Sequence, residues 1–276
     1  MSDYRTVNRQ MWDERAPAHA TSPGYAVERF ADDPGFLSHV VRFDQPRLGD
    51  LAGRRGVHLQ CHIGTDTVSL ARLGARMTGL DFSSTALEEA RRIAQVAGVE
   101  VDFVQADAYD AVSVLGAGEF DLVFTGIGAL CWLPDIARWA EVVDGLLRPG
   151  GRLFLREGHP ALWAVDDTRG DGLLALGFPY FEVAEPVVFT EEGTYVETDV
   201  IFEHNVSHTW NHGLGEIVTA LLDRDLVLTQ LVEHDSVPWE ALPAQMVHSD
   251  DDDEWRLREH RERLPLSYTL QAVKPG

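Results

Sequence analysis

Asp81 is the acid around which the chemistry of this chain is arranged. It closes a stretch, Gly56 to Asp81, that reads as strand, tight turn, helix and second strand. Val57, Leu59 and Cys61 alternate as a strand requires. His62 to Thr65 make the turn, with Gly64 as its flexible point, and Thr65 or Asp66 can cap the next helix. Met77 to Leu80 form the second strand. Such a unit gathers backbone N–H groups and a helix N-terminus at the carboxyl ends of parallel strands. An acid about twenty residues after the first strand accepts hydrogen bonds from both hydroxyls of a ribose. The stretch therefore predicts a site for an adenosine-type nucleoside.

The turn narrows the choice of nucleoside. A dinucleotide site carries G-x-G-x-x-G so that backbone can approach a pyrophosphate. Here the turn is Gln60-Cys61-His62-Ile63-Gly64-Thr65-Asp66, with one glycine, and His62 stands where a phosphate would want no side chain. No Walker sequence is present, which argues against a triphosphate. S-adenosylmethionine carries no phosphate and tolerates a bulkier turn. On these residues the stretch resembles motif I and the following acid of class I S-adenosylmethionine-dependent methyltransferases, in the small-molecule branch. The family's run is acid-x-G-x-G-x-G. His58 stands at the acidic position, Gln60 and His62 replace the first two glycines, and Gly64 keeps the third. The phrase L-L-R-P-G-G-R-L-F-L, residues 146–155, is typical of the family before its fifth strand. Residues 56–160 follow the family in order and spacing.

The resemblance implies an α/β fold: a seven-stranded, mostly parallel sheet flanked by helices, with an N-terminal helical cap and an antiparallel β insertion. The cap would span residues 1–45 and the cofactor-binding domain 46–276, with insertions at 161–212 and 238–264. It implies S-adenosylmethionine as cofactor and a small-molecule methyl acceptor, the methylated atom being O, N or C. The implied cofactor contacts are Gln60, Cys61, His62, Gly64 and Asp66 in the turn, Asp81 with Phe82, and Asp107 with Ala108 at the adenine. Thr125 and Gly126 after the fourth strand, and Trp12 of the cap, complete the set. The cap also brings Asn8 and Tyr25 toward ligand on this resemblance. Against each stands a plainer reading: Trp12 packs the cap to the core, and an acid such as Asp107 at a strand end caps a turn.

Periodicity supplies the elements that hold these residues. Residues 3–15 and 25–31 read as helices. Ala86, Leu87, Ala90, Ile93, Ala94 and Ala97 make one helical face, and Thr85 with Glu88 has capping-box spacing. Val99–Val104, Phe120–Thr125 and Arg152–Glu157 read as the third to fifth strands, and Leu226–Val232 and Leu266–Val273 as the sixth and seventh. Residues 161–212 exceed an ordinary connection. Phe178–Phe189 and Tyr195–Trp210 read as strands around a turn at Glu191-Glu192-Gly193. The run Asp250 to Glu254 reads as a solvated loop.

Methyl transfer from a sulfonium is an in-line displacement, so the protein mainly aligns and excludes water. A hydroxyl acceptor also wants a base, and histidine suits neutral pH. His159, just after the fifth strand, and His208, near the return of the insertion, are the candidate catalytic residues. Glu233-His234-Asp235 is a weaker one. His204, His208 and His212 recur every fourth residue, but on a strand that step spans about 13 Å. One ion cannot reach three such residues, and no metal is expected.

The formal net charge of −22 disfavours nucleic acid and anionic membrane as partners. Two cysteines, no signal peptide and no apolar run near twenty residues point to the cytoplasm. The rivals are an NAD(P)-dependent oxidoreductase and a cofactor-binding protein without methyl transfer. For the 161–212 insertion, the alternative to enclosing the substrate is a homodimer interface.

Overall fold

The computed structural model describes residues 3–169 and 171–276. Positions 1 and 2 of the expected cap and position 170 of the expected insertion lie outside the described residues. The cap holds three helices: α1 (Tyr4–Thr21), α2 (Val27–Asp32) and α3 (His39–Leu48). The core then alternates β1 (Arg55–Leu59), α4 (Thr65–Arg72), β2 (Arg76–Asp81), α5 (Ser84–Ala97), β3 (Asp102–Gln105), α6 (Ala111–Leu115), β4 (Phe120–Thr125), α7 (Ile136–Leu146) and β5 (Leu147–Gly158). Next come α8 (Pro160–Trp163), β6 (Val187–Thr190), β7 (Val206–Thr209), α9 (Leu214–Leu222), β8 (Val227–His234), β9 (Ser236–Val237), β10 (Met246–Ser249), β11 (Glu254–Leu257) and β12 (Ser267–Val273).

Seven strands make one sheet in the order β3-β2-β1-β4-β5-β12-β8. The first five run parallel, while β12 is antiparallel to both β5 and β8. The strand order reverses direction between β1 and β4. In an open α/β sheet, the crevice beyond the strand ends at such a point is where ligands bind. One face of the sheet packs Leu59, Val123 and Leu155 against Trp139 and Val143 of α7 and Leu221 of α9. The other face is covered by the cap, α4 and α5, through Phe30, Val41, Val68, Leu70 and Ile93.

Gly64 explains how closely those layers meet. Its φ is +77°, and a Cβ there would stand 2.8 Å from the Ala90 Cβ and 3.1 Å from the Phe103 ring. Only glycine lets α4 start where α5 and β3 already crowd. Helix α5 is capped by the Ser83 hydroxyl, which accepts from the Ala86 N–H at 3.0 Å, rather than by the expected Thr85.

The insertions depart from expectation. The strands foreseen over 178–189 and 195–210 shrink to β6 and β7, paired antiparallel with Val188 opposite His208. Their connection runs from 191 to 205, not through a tight turn at 191–193. Three of its carbonyls are held by one side chain. The Arg15 guanidinium donates to the carbonyls of Glu191, Gly193 and His204 and to the Asn205 Oδ1. The second insertion carries β10 and β11, which join β9 in a three-stranded sheet, and the acidic run expected as a solvated loop is the turn between them except at its last residue. Asp250 to Asp253 turn between β10 and β11. Glu254 is fully buried and accepts from Arg156 Nη2 at 2.8 Å. A periodic acid count cannot show that one member of a charge run has a buried arginine waiting for it. No described helix is long and apolar enough to cross a membrane.

Candidate functional site

A cavity of about 1060 Å³ opens beyond the carboxyl ends of β1, β2, β4 and β5. Cap helix α1, the first insertion and the small sheet β10-β11-β9 roof it over the core. Of the expected cofactor residues, Trp12, Gln60, Cys61, His62, Asp66, Asp81, Phe82, Asp107, Ala108 and Gly126 line it.

The turn after β1 has the backbone of a glycine turn without the glycines. Gln60 and His62 adopt φ of +56° and +49°, ahead of Gly64 at +77°. A left-handed conformation costs a residue with a Cβ about 1–2 kcal/mol. Three contacts offset it. The Gln60 Nε2 donates to the Ala129 carbonyl at 2.9 Å, the His62 N–H donates to Asp81 Oδ2 at 2.8 Å, and the His62 Nε2 lies 2.8 Å from His19 Nδ1. Asp81 Oδ1 takes the Ser83 N–H at 2.9 Å. Burial raises the Asp81 carboxyl to about 6, against the pull of those backbone bonds. Each of its oxygens keeps a lone pair for the cavity.

Asp107 does what the plain reading expects, capping a turn, and also lines the cavity. Its Oδ1 caps the Tyr109 N–H at 2.9 Å, and its Oδ2 pairs with Arg5 Nε of the cap at 3.1 Å. Cys61 and Cys131 are free, and burial pushes both thiols well up. Two expected contacts fall outside the cavity wall. Gly64 lies beneath the turn, packed on α5. Thr125 is fully buried in β4, its Oγ1 without a partner among the described residues.

The candidate bases need correction. His159 is turned into the protein: its Nδ1 accepts the Ala161 N–H at 3.0 Å, capping α8, and its Nε2 meets Glu233 Oε1 at 2.9 Å. On β7 side chains alternate, and Ser207 and Thr209 face the cavity, so His208 faces away from it. What His208 contributes is backbone, bonded in both directions to the Asn8 amide at 2.9 Å. His204 pairs with Glu14 Oε1 at 2.7 Å, and buried His212 lies between Glu182 Oε2 and the Leu133 carbonyl, both 2.8 Å away. The three histidines do not converge. In the Glu233-His234-Asp235 trio, Glu233 serves His159, His234 bonds the Thr269 hydroxyl at 2.8 Å, and Asp235 pairs with Arg256.

Three features of the site escaped sequence reasoning. Glu157, buried at the end of β5, accepts four backbone N–H groups: Gly128 at 2.5 Å, Ala129 and Leu130 at 2.8 Å, and Gly158 at 2.7 Å. Burial still raises its carboxyl to about 7. The loop after β4 therefore hangs on one carboxylate. A conspicuous acid inside an apolar strand was the available signal. Second, His19 bridges His62 and the Thr194 hydroxyl, the latter at 2.7 Å. Burial pushes His19 down to about 3 and His62 well below its ordinary value, so both imidazoles stay neutral. Tyr25 and Tyr195 join through their hydroxyls beside this pair. Trp12 meets His62 and Trp132 edge-on, at 5.0 and 5.3 Å between centroids. Third, the small sheet contributes Trp239 and Trp255, with Trp239 stacked on Trp163 at 5.6 Å.

Residues 57–153 match the family model described as a methyltransferase domain. The ubiquinone biosynthesis O-methyltransferase of Aromatoleum aromaticum is 38% identical over 108 residues, covering 39% of this chain and 45% of that protein. The enzyme of that name from Escherichia coli K12 is 29% identical over 175 residues, covering 60% of this chain and 65% of its own. The chain thus spans about half to two thirds of the length of these curated relatives. Among solved structures, an S-adenosylmethionine-dependent methyltransferase from Mesorhizobium loti superposes with a TM-score of 0.60 at 22% identity, over 86% of this chain and 98% of the other. A putative one from Listeria monocytogenes gives 0.59 at 18% identity, over 86% and 99%. At these identities the likeness is one of fold.

Proposed function

We propose that this chain, whose residues 57–153 are a class I methyltransferase domain, transfers a methyl group from S-adenosylmethionine to a small-molecule acceptor. The observation that carries the reading is the turn after β1, with Gln60, His62 and Gly64 all left-handed and the His62 N–H held by Asp81. The domain match and the O-methyltransferase relatives support it. The site's chemistry fits the cofactor. Cavity-lining acids at two neighbouring strand ends suit a nucleoside, and buried Gln60 Oε1 has no partner among the described residues. S-adenosylmethionine would supply the electrophilic methyl group together with its sulfide leaving group.

The chain's own residues do the rest. In sheet order, Asp107 follows β3, Asp81 ends β2, the 60–66 turn follows β1 and Gly126 follows β4. Asp107 accepts from the adenine amine and Asp81 from the ribose hydroxyls, with Phe82 and Ala108 packing between them. Gln60, Cys61, His62 and Asp66 then surround the amino-acid end, over β1 and β4. The acceptor is left the space over β5, between Ile127, Leu162, Trp163 and Trp239, which all line the cavity. Glu157 holds the 128–130 backbone against that space. Trp12, Tyr25 and Tyr195 close the roof and exclude water. His159 and His208 play no part as bases.

In this reading residues 1–45 act as the cap and 46–276 as the cofactor domain, within the cytoplasm. The insertion leaves Leu176, Phe181 and Ile201 exposed, and sedimentation would reveal a homodimer through that face. The test of function is calorimetric titration with S-adenosylmethionine and with NAD separately. It is joined to mass spectrometry for S-adenosylhomocysteine released with candidate acceptors. Binding of NAD alone refutes the reading.

A further inference from the structure

Asp66 and His58 meet at one point of the cavity wall. Position 58 is where the family's first acid stands, and here it is a buried imidazole, 3% exposed. Its Nδ1 bonds the Thr67 hydroxyl at 2.8 Å, while its Nε2 makes no hydrogen bond among the described residues. A Cβ placed on Gly126 would lie 3.3 Å from that Nε2 and 3.5 Å from Asp66 Oδ2. Both side chains therefore converge on Gly126, where β4 ends beside the turn after β1. Asp66 is set in the first turn of α4, eight positions after the one it would replace. No Lys, Arg or His forms a salt bridge with its carboxylate among the described residues. Burial raises its carboxyl, opposed by the Ser38 hydroxyl and, more weakly, by Arg156 and His39. Asp66 is half-buried in the cavity wall, and a partly desolvated carboxylate without a cation is stabilised when one arrives.

We infer that Asp66 is the counter-ion for the α-ammonium group of the cofactor, taking over from α4 the charge that position 58 has lost, with neutral His58 as a second acceptor beside it. The inference rests on the S-adenosylmethionine reading. It follows from the order of the strand ends: with nucleoside contacts over β3 and β2, the amino-acid end falls over β1 and β4, at Gly126. Burial pushes His58 down to about 3, so its ring stays neutral and adds no repulsion to a bound cation. Around Asp66 the titratable groups are Arg156 of β5, His39 and the buried acid Asp44 of α3, Tyr25 and Tyr195 of the roof, and His58 of β1.

The test is equilibrium binding, not turnover. S-adenosylhomocysteine and its deaminated analogue, which keeps the carboxylate but lacks the ammonium, are titrated into wild type and Asp66→Asn. Losing one side of a charge pair enclosed in the cavity should weaken S-adenosylhomocysteine by at least about tenfold and leave the analogue within about twofold. Melting temperatures identify a variant that has not folded. In that event the wild-type preference for S-adenosylhomocysteine over the analogue, and its retention in Asp66→Glu, carry the test. Equal losses for both ligands, or unchanged affinity for S-adenosylhomocysteine, overturn the inference. Wild-type protein that binds neither ligand refutes the cofactor reading instead.

Discussion

His19 Nδ1 lies 2.8 Å from His62 Nε2, so a single ring proton joins cap helix α1 to the turn after β1. Both imidazoles are kept neutral by burial, His19 down to about 3. Between that value and the ordinary 6.5 the unfolded chain binds the proton and the folded chain does not. The stability this histidine confers is therefore complete above 6.5 and is lost as pH falls toward 3. Asp81 and Glu157, raised to about 6 and 7, act in the opposite sense over their own ranges. The measurement is thus a difference. The melting temperature of wild type should exceed that of His19→Gln at pH 7.5, and the gap should narrow steadily below pH 6.5. A gap independent of pH would contradict it.

Asp81→Ala removes an acceptor of two ribose hydrogen bonds and frees the His62 N–H. Affinity for S-adenosylhomocysteine should fall by more than about tenfold, since bonds to a charged group are each worth roughly 1.5–3 kcal/mol. Calorimetry reads it directly, and wild-type affinity would remove Asp81 from the site.

At Asp107 the amide and the truncation should differ. Asp107→Asn keeps one acceptor for the Tyr109 N–H or the adenine amine, so it should lose less cofactor affinity than Asp107→Ala. The Arg5 contact, a partly exposed pair, adds under about 1 kcal/mol. If both variants bind S-adenosylhomocysteine as wild type does, the adenine role is wrong.

Glu157→Gln replaces an acceptor-only carboxylate with an amide whose nitrogen faces N–H groups. At least one of four buried donors loses its partner, costing about 1–3 kcal/mol. Hydrogen exchange at the amides of 128–130 should quicken, and the variant should melt lower. Unchanged exchange there would mean that the loop is held by something else.

A chelator should leave S-adenosylhomocysteine affinity unchanged, because no proposed contact passes through a metal. Loss on chelation, restored by zinc or magnesium, would reopen the histidine cluster.

The parts of this molecule legible in its sequence are those built from near neighbours. The β1–α4–β2 unit, the run at 146–155 and the strand-end acids each declare themselves within about twenty-five residues. Period and turn chemistry act over just that range. The misplaced bases failed for a different reason. His159 follows β5 of the main sheet and His208 lies on the β6–β7 pair above it, but which way each points depends on partners far away in sequence, Glu233 and Asn8. His19 and the small sheet were unreadable on the same ground, and for Glu157 only the acid in an apolar strand was visible, not the loop it holds. Their roles exist only once the cap, the loop after β4 and the second insertion have come together.

Arg15 carries a consequence of another kind, for the order in which the molecule assembles. The guanidinium is buried in α1, and apart from the Met11 carbonyl its hydrogen-bond partners lie 176 to 190 positions further along the chain. Closing a loop of that length brings no reward until the intervening core exists to bring its ends together. During synthesis, helix α1 can dock on α5 and the turn after β1 well before the insertion exists, but the Arg15 guanidinium meets its carbonyl partners only once residues 191–205 have left the ribosome. The roof of the cavity is thus among the last parts to consolidate, and slow refolding phases should report on Arg15 before they report on the sheet.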